Sequence, residues 1–281
     1  MDAKKLKNFA CKVKADLIGI ASIDRFKHIR PEHHPKSIMP EAKSVIVIGK
    51  RITRGSLRGI EEGTQLNIYK LYGYQWLNNR ILAAITYRVA EYLEDNGFEA
   101  VPLPNIPNEV PPMGIPVKKG KPAPNVIVDV EDAAIRAGLG EKGYCGIFLT
   151  ERFGPRQRFQ IIITDAELEP DCIKNENICD LCKKCARICP HNAISTPEKT
   201  LNICGKKMVI ASIEYEKCKI CKNGAMPDMY YEKANPDRIG AVCARTCLDH
   251  LEKTGRIKNL FTTHFRKRKP WVVNQLFREN E

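Results

Sequence analysis

Hydrophobic positions recur along the first part of the chain with two periods, and each period predicts a different element. Residues 4–15 carry apolar side chains at helical spacing and predict a first helix. Residues 16–21 and 41–49 are short apolar runs, the second rich in β-branched residues, and predict strands. Residues 65–96 keep helical spacing up to an Asn-Gly pair, so they predict one long helix.

The next part of the chain alternates between irregular and regular patterns. Residues 101–124 contain eight prolines and predict a long loop over a ligand site. Residues 126–128 predict a short strand, and residues 132–143 predict a helix that ends in a glycine-rich turn. Residues 147–150 and 159–164 predict two strands that pair around the turn between them. Helical and strand patterns are therefore mixed, which indicates an α/β (α+β) protein.

Composition and charge narrow the class of protein. The 281 residues are 43% hydrophobic and 28% charged, with no apolar run near the roughly 18–20 residues of a membrane span. Without a signal-peptide pattern, the expected location is cytoplasmic, with no membrane partner. The net charge of +13 favours an acidic or nucleic-acid partner, or simply a solvated surface. Part of the excess lies in the tail: Arg256, Lys258, Arg266, Lys267, Arg268, Lys269 and Arg278.

The strongest chemical signal is a run of four cysteines closed by a proline. Cys179, Cys182, Cys185 and Cys189-Pro190 have the C-x2-C-x2-C-x3-C-P spacing of a bacterial ferredoxin, whose thiolates bind a [4Fe–4S] cluster. Three thiols at successive i, i+3 steps let a short loop wrap one corner of the cluster. Disulfides are a weaker interpretation of the twelve cysteines, because the spacing is that of metal ligands.

Two other groups of residues give weaker signals. His28, His33 and His34 lie in a proline-punctuated loop, where surface histidines are a better interpretation than a metal site. Gly138, Gly140 and Gly143 allow the backbone to approach a ligand, although their spacing is not that of a dinucleotide-binding turn.

Taken in order, several motifs resemble the shared core of epoxyqueuosine reductases and reductive dehalogenases. The resemblance implies a nitroreductase-like N-terminal domain that holds a cobalamin, followed by a ferredoxin-like domain with two [4Fe–4S] clusters. It covers about residues 1–250 and is carried by residues 15–21, 43–49, 137–143, 149–156, 163–171 and the cysteine run. The implied cofactor-binding residues are Gly138, Gly140, Gly143 and Tyr144. The expected domains are residues 1–170, residues 171–255 and a basic tail of residues 256–281.

The second cluster motif departs from the family. Gly240 stands where the family has a cysteine, and Leu248 replaces the proline, while Cys218 and Cys221 supply additional thiols. The crossed ligation of two-cluster ferredoxins implies one cluster on Cys179, Cys182, Cys185 and Cys247, and another on Cys189, Cys218, Cys221 and Cys243. The remaining thiols, Cys11, Cys145, Cys172 and Cys204, are expected to be free.

The catalytic residues stay open at the level of sequence. Asp129 and Asp132 are the candidate acids, because family members carry an acid or a histidine near these positions, yet either is also a good N-cap of the following helix. Tyr69, Tyr72 and Tyr144 are the candidate tyrosines.

Three functions are consistent with these observations. The first is a corrinoid-dependent iron–sulfur reductase. The second is an electron-transfer protein that reduces a partner, such as a separate corrinoid protein. The third, a tRNA-binding function, rests on net charge. The first two functions need an electron donor such as a ferredoxin or a flavodoxin.

Overall fold

The computed structural model describes residues 1–274, and the chain divides into two compact units that interleave along the sequence. The first unit comprises residues 1–51, 76–139 and 158–174, and the second comprises the remaining segments. Residues 52–75 and 140–157 thus pack in the second unit, although the sequence places them in the domain before residue 170. The predicted domain boundaries at residues 170 and 255 stay a prediction.

A four-stranded sheet forms the centre of the first unit, with the strand order β1-β2-β6-β3. The pairs β1–β2 and β3–β6 are antiparallel. The strands of this sheet are β1 (Leu17–Ser22), β2 (Ser44–Arg51), β3 (Ala100–Leu103) and β6 (Gln157–Thr164). The apolar runs predicted as strands at residues 16–21 and 41–49 are therefore strands, and residues 44–49 are buried throughout.

Helices cover the sheet of the first unit. The apolar face of α1 packs on α4, where Phe9 stacks on Tyr92 with ring centroids 4.1 Å apart. Asp2 caps α1 by accepting a hydrogen bond from the amide of Lys4 at 2.7 Å. The helices of this unit are α1 (Ala3–Lys12), α2 (Pro35–Ile38), α4 (Ala83–Glu94) and α5 (Val130–Arg136), with 3-10 turns at Ile23–Phe26 and Pro31–His33.

The second unit combines short helices with two small hairpins. Its strands are β4 (Glu141–Lys142), β5 (Phe148–Leu149), β7 (Ile194–Ile203) and β8 (Lys206–Ile213). Its helices are α3 (Arg58–Glu61), α6 (Lys184–Arg187), α7 (Tyr215–Lys219) and α8 (Val242–Lys253), with a 3-10 turn at Arg54–Leu57. The β7–β8 hairpin was not predicted; its turn at Cys204-Gly205 has positive φ at both residues, the geometry of a tight hairpin turn.

The long helix predicted over residues 65–96 is present as an unbroken helical run over residues 67–94. Its first part has π-helical turns, at Tyr69–Gln75 and Leu77–Leu82, and α4 follows them. Apolar spacing does not distinguish these wider turns from α-helical ones, and the ring of Tyr69 fills the space beside Gly73.

Two predictions about strands are wrong, one on pairing and one on the existence of a strand. Residues 147–150 and 159–164 do not pair with each other, because β5 pairs with β4 and β6 pairs with β3. Residues 126–128 form no strand. The amide of Ile127 donates to the carbonyl of Glu32 at 3.2 Å, and His33 Nδ1 lies 2.8 Å from the carbonyl of Ile127, so a loop satisfies this backbone.

The α/β (α+β) fold class predicted from the sequence is confirmed. Within residues 1–274, no helix has both the length and the apolar character needed to cross a bilayer.

Candidate metal centres

Cysteine thiols line two separate cavities of the second unit. The first cavity is enclosed by the cysteine loop, by α6 and α8, and by the turn before β5. Its lining residues include Cys179, Cys182, Cys185 and Cys247, together with Tyr144, Cys145, Asp180, Lys183 and His250. The structure thus brings together the four thiols that the sequence assigns to one cluster.

The loop around the first cavity has an unusual backbone. Leu181 and Lys183, on either side of Cys182, both have φ of +57°, in the left-handed region. Such reversals turn successive N–H groups toward one side and form the concave anion sites found in many iron–sulfur proteins. The amide of Tyr144 donates a hydrogen bond to Cys179 Sγ at 3.4 Å. This loop is therefore shaped to hold an anionic group.

A buried ion pair fixes the start of the cysteine loop. Glu141 Oε1 accepts hydrogen bonds from the amides of Ile178 and Cys179 at 2.9 and 2.8 Å. Glu141 Oε2 lies 2.8 Å from Lys206 Nζ, and both side chains are at most 3% exposed. Lys206 also donates to the carbonyl of Glu176 at 2.5 Å. The β4 and β8 strands thereby hold the backbone of Cys179 in place.

The second cavity lies between the end of the cysteine run, α7 and the start of α8. Its lining residues include Cys189, Cys218, Cys221 and Cys243, together with His191, Lys217 and Arg238. Ala193 donates its amide hydrogen to Cys189 Sγ at 3.3 Å. These four thiols are the ones that the crossed assignment gives to the second cluster.

Helix α8 contributes to both cavities. Cys243 and Cys247 are four residues apart, yet Cys243 lines the second cavity and Cys247 the first. In the same way Cys185 and Cys189, at the end of the cysteine run, line different cavities. Each of these two segments therefore contributes a thiol to each cavity.

The residues of both cavities fit anionic iron–sulfur clusters. Burial raises the pKa of Cys218 and of Cys247, and it raises that of Cys243 to about 12, so these thiols stay protonated until a metal displaces the proton. In the second cavity, Nη1 of Arg238 and both ring nitrogens of His191 are buried without a hydrogen-bond partner. Arg238 and one ring nitrogen of His191 are thus orphaned donors, which are costly unless an acceptor occupies the cavity.

A hydrogen-bonded network of Asp180, His250 and Lys184 beside the first cavity was not predicted from the sequence. His250 Nε2 lies 2.7 Å from Asp180 Oδ2, and Nδ1 lies 3.0 Å from the ammonium of Lys184. Because an ammonium only donates, Nδ1 accepts and Nε2 donates to Asp180. Burial opposes ionisation, but this hydrogen bond holds the pKa of Asp180 below its usual value. His250 lies three residues after Cys247 on α8, and that spacing was the available signal.

The glycines assigned to a cofactor lie against the chain itself. A Cβ on Gly138 would lie 2.3 Å from the carbonyl oxygen of Cys172, and one on Gly140 would lie 2.0 Å from that of Leu149. A Cβ on Gly143 would contact the side chain of Leu149 at 2.8 Å. Close packing of the backbone accounts for these glycines, and their role in binding a cofactor stays a prediction.

The two candidate acids have structural partners in the first unit. Asp129 is the N-cap of α5, since its Oδ1 accepts from the amide of Asp132 at 2.8 Å, and Asn108 donates to its Oδ2 at 2.6 Å. Asp132 pairs with Arg136 at 2.5 Å. Both acids line an open cavity of about 360 Å³, together with His28 and others. Their catalytic role stays a prediction.

The three candidate tyrosines have different surroundings. Tyr144 lines the first thiol cavity, and its hydroxyl donates to Glu198 at 2.9 Å. Burial and this carboxylate raise the pKa of Tyr144. Tyr69 is buried and donates to Asp237 at 2.5 Å, whereas Tyr72 is half exposed. None of these contacts assigns a catalytic tyrosine.

A side chain at Gly240 would clash with two neighbouring groups. A Cβ at this position would lie 2.7 Å from the carbonyl oxygen of Gly224 and 2.7 Å from the ring of Tyr69. The close approach of two backbone segments explains why no thiol stands here, where the resemblance expects one. Cys218 and Cys221 lie on the second cavity instead.

Several cations of the basic tail are paired within the second unit. Arg266 binds Glu61 at 2.5 Å, Arg268 pairs with Glu62 at 3.0 Å, and Lys258 pairs with Glu151 at 2.6 Å. Arg278, also part of the predicted basic tail, lies outside the described residues. The described tail therefore carries less free positive charge than its sequence indicates.

A mixed α/β fold with two cysteine-lined cavities, one with five cysteines and one with four, fits the class of proteins that hold metal clusters on thiolates. No protein-family model matches the chain. The tetrachloroethene reductive dehalogenase of Desulfitobacterium hafniense is 36% identical over 117 residues, which cover 41% of this chain and 18% of that protein. The Sulfurospirillum multivorans enzyme of the same name is 39% identical over 70 residues, 24% of this chain and 14% of that protein. The chain thus spans only about a fifth of the curated relatives it matches.

Solved structures of reductive dehalogenases resemble this chain in fold. A catabolic reductive dehalogenase matches 91% of this chain and 34% of its own length, with a TM-score of 0.58 and 20% identity. An epoxyqueuosine reductase bound to a tRNA stem loop is more distant, with a TM-score of 0.47, 18% identity and coverage of 68% and 52%. The resemblance predicted from the sequence is confirmed for the reductive dehalogenases, which this chain resembles in sequence over 117 residues and in fold.

Proposed function

We propose that the chain is an iron–sulfur oxidoreductase that passes electrons through two [4Fe–4S] clusters. The observation that carries the proposal is the presence of two separate cavities, each lined by four of the eight cysteines predicted as ligands. The first cluster is assigned to Cys179, Cys182, Cys185 and Cys247. The second is assigned to Cys189, Cys218, Cys221 and Cys243.

When bound, such clusters supply one-electron transfer. The chain's own residues hold and tune the site. The amides of Tyr144 and Ala193 donate hydrogen bonds to ligand sulfurs in the first and second cavities, which stabilises negative charge on those sulfurs. Apolar side chains such as Ile194 and Leu251 line the cavities and limit the access of water.

The reductase part of the proposal follows from the relatives. They are named reductive dehalogenases, and the resemblance implies that electrons from the clusters reach a corrinoid that performs a reductive reaction. We therefore propose a corrinoid-dependent reductase with an electron donor of the ferredoxin or flavodoxin class. The cytoplasmic location belongs to the same proposal.

A second candidate is an electron-transfer protein that reduces a separate corrinoid protein. It is favoured by the contacts of the assigned cofactor and catalytic residues, because Gly138 and Gly140 lie against carbonyls of the chain and Asp129 caps a helix. A tRNA partner is less favoured, since cations such as Arg266 and Arg268 already have carboxylate partners.

Anaerobic binding of a corrinoid separates the two candidates. Iron-loaded protein is mixed with cob(II)alamin, passed through a desalting column and examined for corrinoid absorbance, with a ferredoxin of similar size as the control. The reductase proposal predicts about one corrinoid retained per chain. Iron-loaded protein that retains no corrinoid, yet reduces a corrinoid protein added to it, would contradict the reductase and support the second candidate.

A further inference from the structure

The second thiol cavity contains a buried cation whose charge is not balanced by a carboxylate hydrogen bond. Arg238 is 6% exposed and lines this cavity. Its Nη2 donates to the carbonyl of Cys145 at 2.9 Å, while its Nη1 donates no hydrogen bond. A buried guanidinium without a full set of acceptors is strongly unfavourable, so an anion is expected in the space that it faces.

The first cavity differs in this respect. Lys183 pairs with Glu198 at 2.6 Å, so the cation that lines this cavity has a carboxylate partner. Lys217, at the second cavity, likewise pairs with Glu214 at 2.8 Å. The second cavity therefore differs from the first because it contains a cation, Arg238, whose charge is not balanced by a carboxylate hydrogen bond.

The position of Arg238 places its positive charge beside the thiols of the second cavity. Arg238 lines the same cavity as Cys218 and Cys243, with no residue of opposite charge among the lining residues. The guanidinium also lies over the ring of Tyr215, 5.1 Å from its centroid, which fixes its position. Arg238 is thus placed to stabilise negative charge on the sulfurs of this cavity.

A nearby cation changes the potential of an iron–sulfur cluster in a known direction. A cluster held by four thiolates is anionic, and reduction adds one more negative charge. A fixed positive charge in a poorly hydrated cavity stabilises the reduced form more than the oxidised form, and the reduction potential rises.

From these observations we infer that Arg238 is the counter-ion of the cluster held by Cys189, Cys218, Cys221 and Cys243, and makes it the higher-potential cluster of the two. The inference rests on the proposed function. With both clusters bound, a donor of the ferredoxin or flavodoxin class would supply one electron to the first cluster. That electron would pass to the second cluster, oxidising the first and reducing the second with no bond or proton change, and the charge of Arg238 would favour its staying there.

The link between the cavities runs through Cys145. Its carbonyl accepts the hydrogen bond from Arg238, and the residue itself lines the first cavity beside Cys185. A chain of covalent and hydrogen bonds therefore connects the two sites. Arg238 is a positioning residue in this account, because it acts on the potential of a cluster and carries no ligand atom.

The test is a redox titration followed by electron paramagnetic resonance on anaerobically iron-loaded protein, after the iron content has been measured. Arg238→Met removes the charge, Arg238→Lys retains it, and Arg268→Met removes an exposed arginine of the same unit. Wild type is expected to show two one-electron couples. The higher couple is assigned to the second cluster by its loss in Cys221→Ala.

Arg238→Met is expected to lower the reduction equilibrium constant of the higher couple at least tenfold, a shift of about 59 mV for one electron. Arg238→Lys is expected to stay near wild type, and Arg268→Met to change neither couple. Loss of only the second cluster in Arg238→Met, with retention in Arg238→Lys, would also support the role of the charge.

Other outcomes overturn the inference. Full iron with an unchanged higher couple in Arg238→Met would show that the charge does not set the potential. Equal loss of the second cluster in Arg238→Met and Arg238→Lys would show that shape, and not charge, matters. Wild-type protein that binds no iron would contradict the proposed function itself, and the iron analysis reveals this before any titration.

Discussion

Removal of the buried carboxylate of Glu141 is predicted to destabilise the second unit and to impair the first metal centre. In Glu141→Ala, Lys206 keeps its charge in a site where it is only 3% exposed. Removal of one partner from a buried ion pair costs about 3–5 kcal/mol, because the other charge is left uncompensated. The amides of Ile178 and Cys179 lose their acceptor in the same variant.

The loss of stability expected in Glu141→Ala can be compared with the losses expected in two other variants. Lys206→Met leaves Glu141 with both amide donors, so we expect a smaller loss, about 1–3 kcal/mol. Glu151→Ala breaks an exposed ion pair with Lys258, in which the side chains are 42% and 68% exposed, and is expected to cost at most about 1 kcal/mol.

The assay combines anaerobic urea denaturation with iron analysis. The predicted order of destabilisation is Glu141→Ala, then Lys206→Met, then Glu151→Ala, and only the first two variants are expected to bind less iron than wild type. A loss of stability in Glu141→Ala no larger than that in Glu151→Ala would refute the reasoning. Normal iron content in a destabilised Glu141→Ala would refute the claim that this carboxylate positions Cys179.

Two further predictions concern backbone packing and pH. Gly240→Ala is expected to lower the free energy of unfolding by about 1–3 kcal/mol, because its Cβ meets the carbonyl of Gly224. Gly55→Ala, where a Cβ meets nothing within 4 Å, is the matched control in urea denaturation, and an equal effect in both would contradict the clash. Asp180 has a lowered pKa in the folded state, so its contribution to stability is present above its unfolded value, about 3.9, and is lost as the pH falls through the folded value. The urea midpoints of wild type and Asp180→Asn should therefore differ at pH 7 and converge in acid, and a constant difference would contradict the hydrogen bond from His250.

The division of the cysteines between two cavities could be predicted from the sequence. The spacing around Cys182 is a local property, and the crossing of Cys189 to another site follows from the known wiring of two-cluster ferredoxins. The strands β1 and β2 were also predictable from local sequence, because their apolar runs indicate burial directly. Their partners were less predictable, because a pattern such as that of β5 does not specify which strand lies beside it.

The surroundings of the thiols could not be predicted, because they depend on contacts between distant segments. Arg238 lies 49 residues after Cys189, and only the fold shows that both line one cavity. The absence of a side chain at Gly240 likewise depends on a distant segment, because the carbonyl of Gly224 lies beside it. Sequence spacing identifies ligands that share a loop, whereas the charges that balance them come from elsewhere in the chain.

The crossed ligation is the central claim, and the iron content of paired cysteine variants tests it most directly. Wild-type protein purified anaerobically is expected to hold about eight irons per chain. Cys189→Ala/Cys221→Ala removes two ligands of the same cluster and should retain about four irons. Cys185→Ala/Cys189→Ala removes one ligand from each cluster and should retain almost none. If instead Cys185→Ala/Cys189→Ala keeps about four irons and Cys189→Ala/Cys221→Ala loses nearly all, the crossed assignment is contradicted.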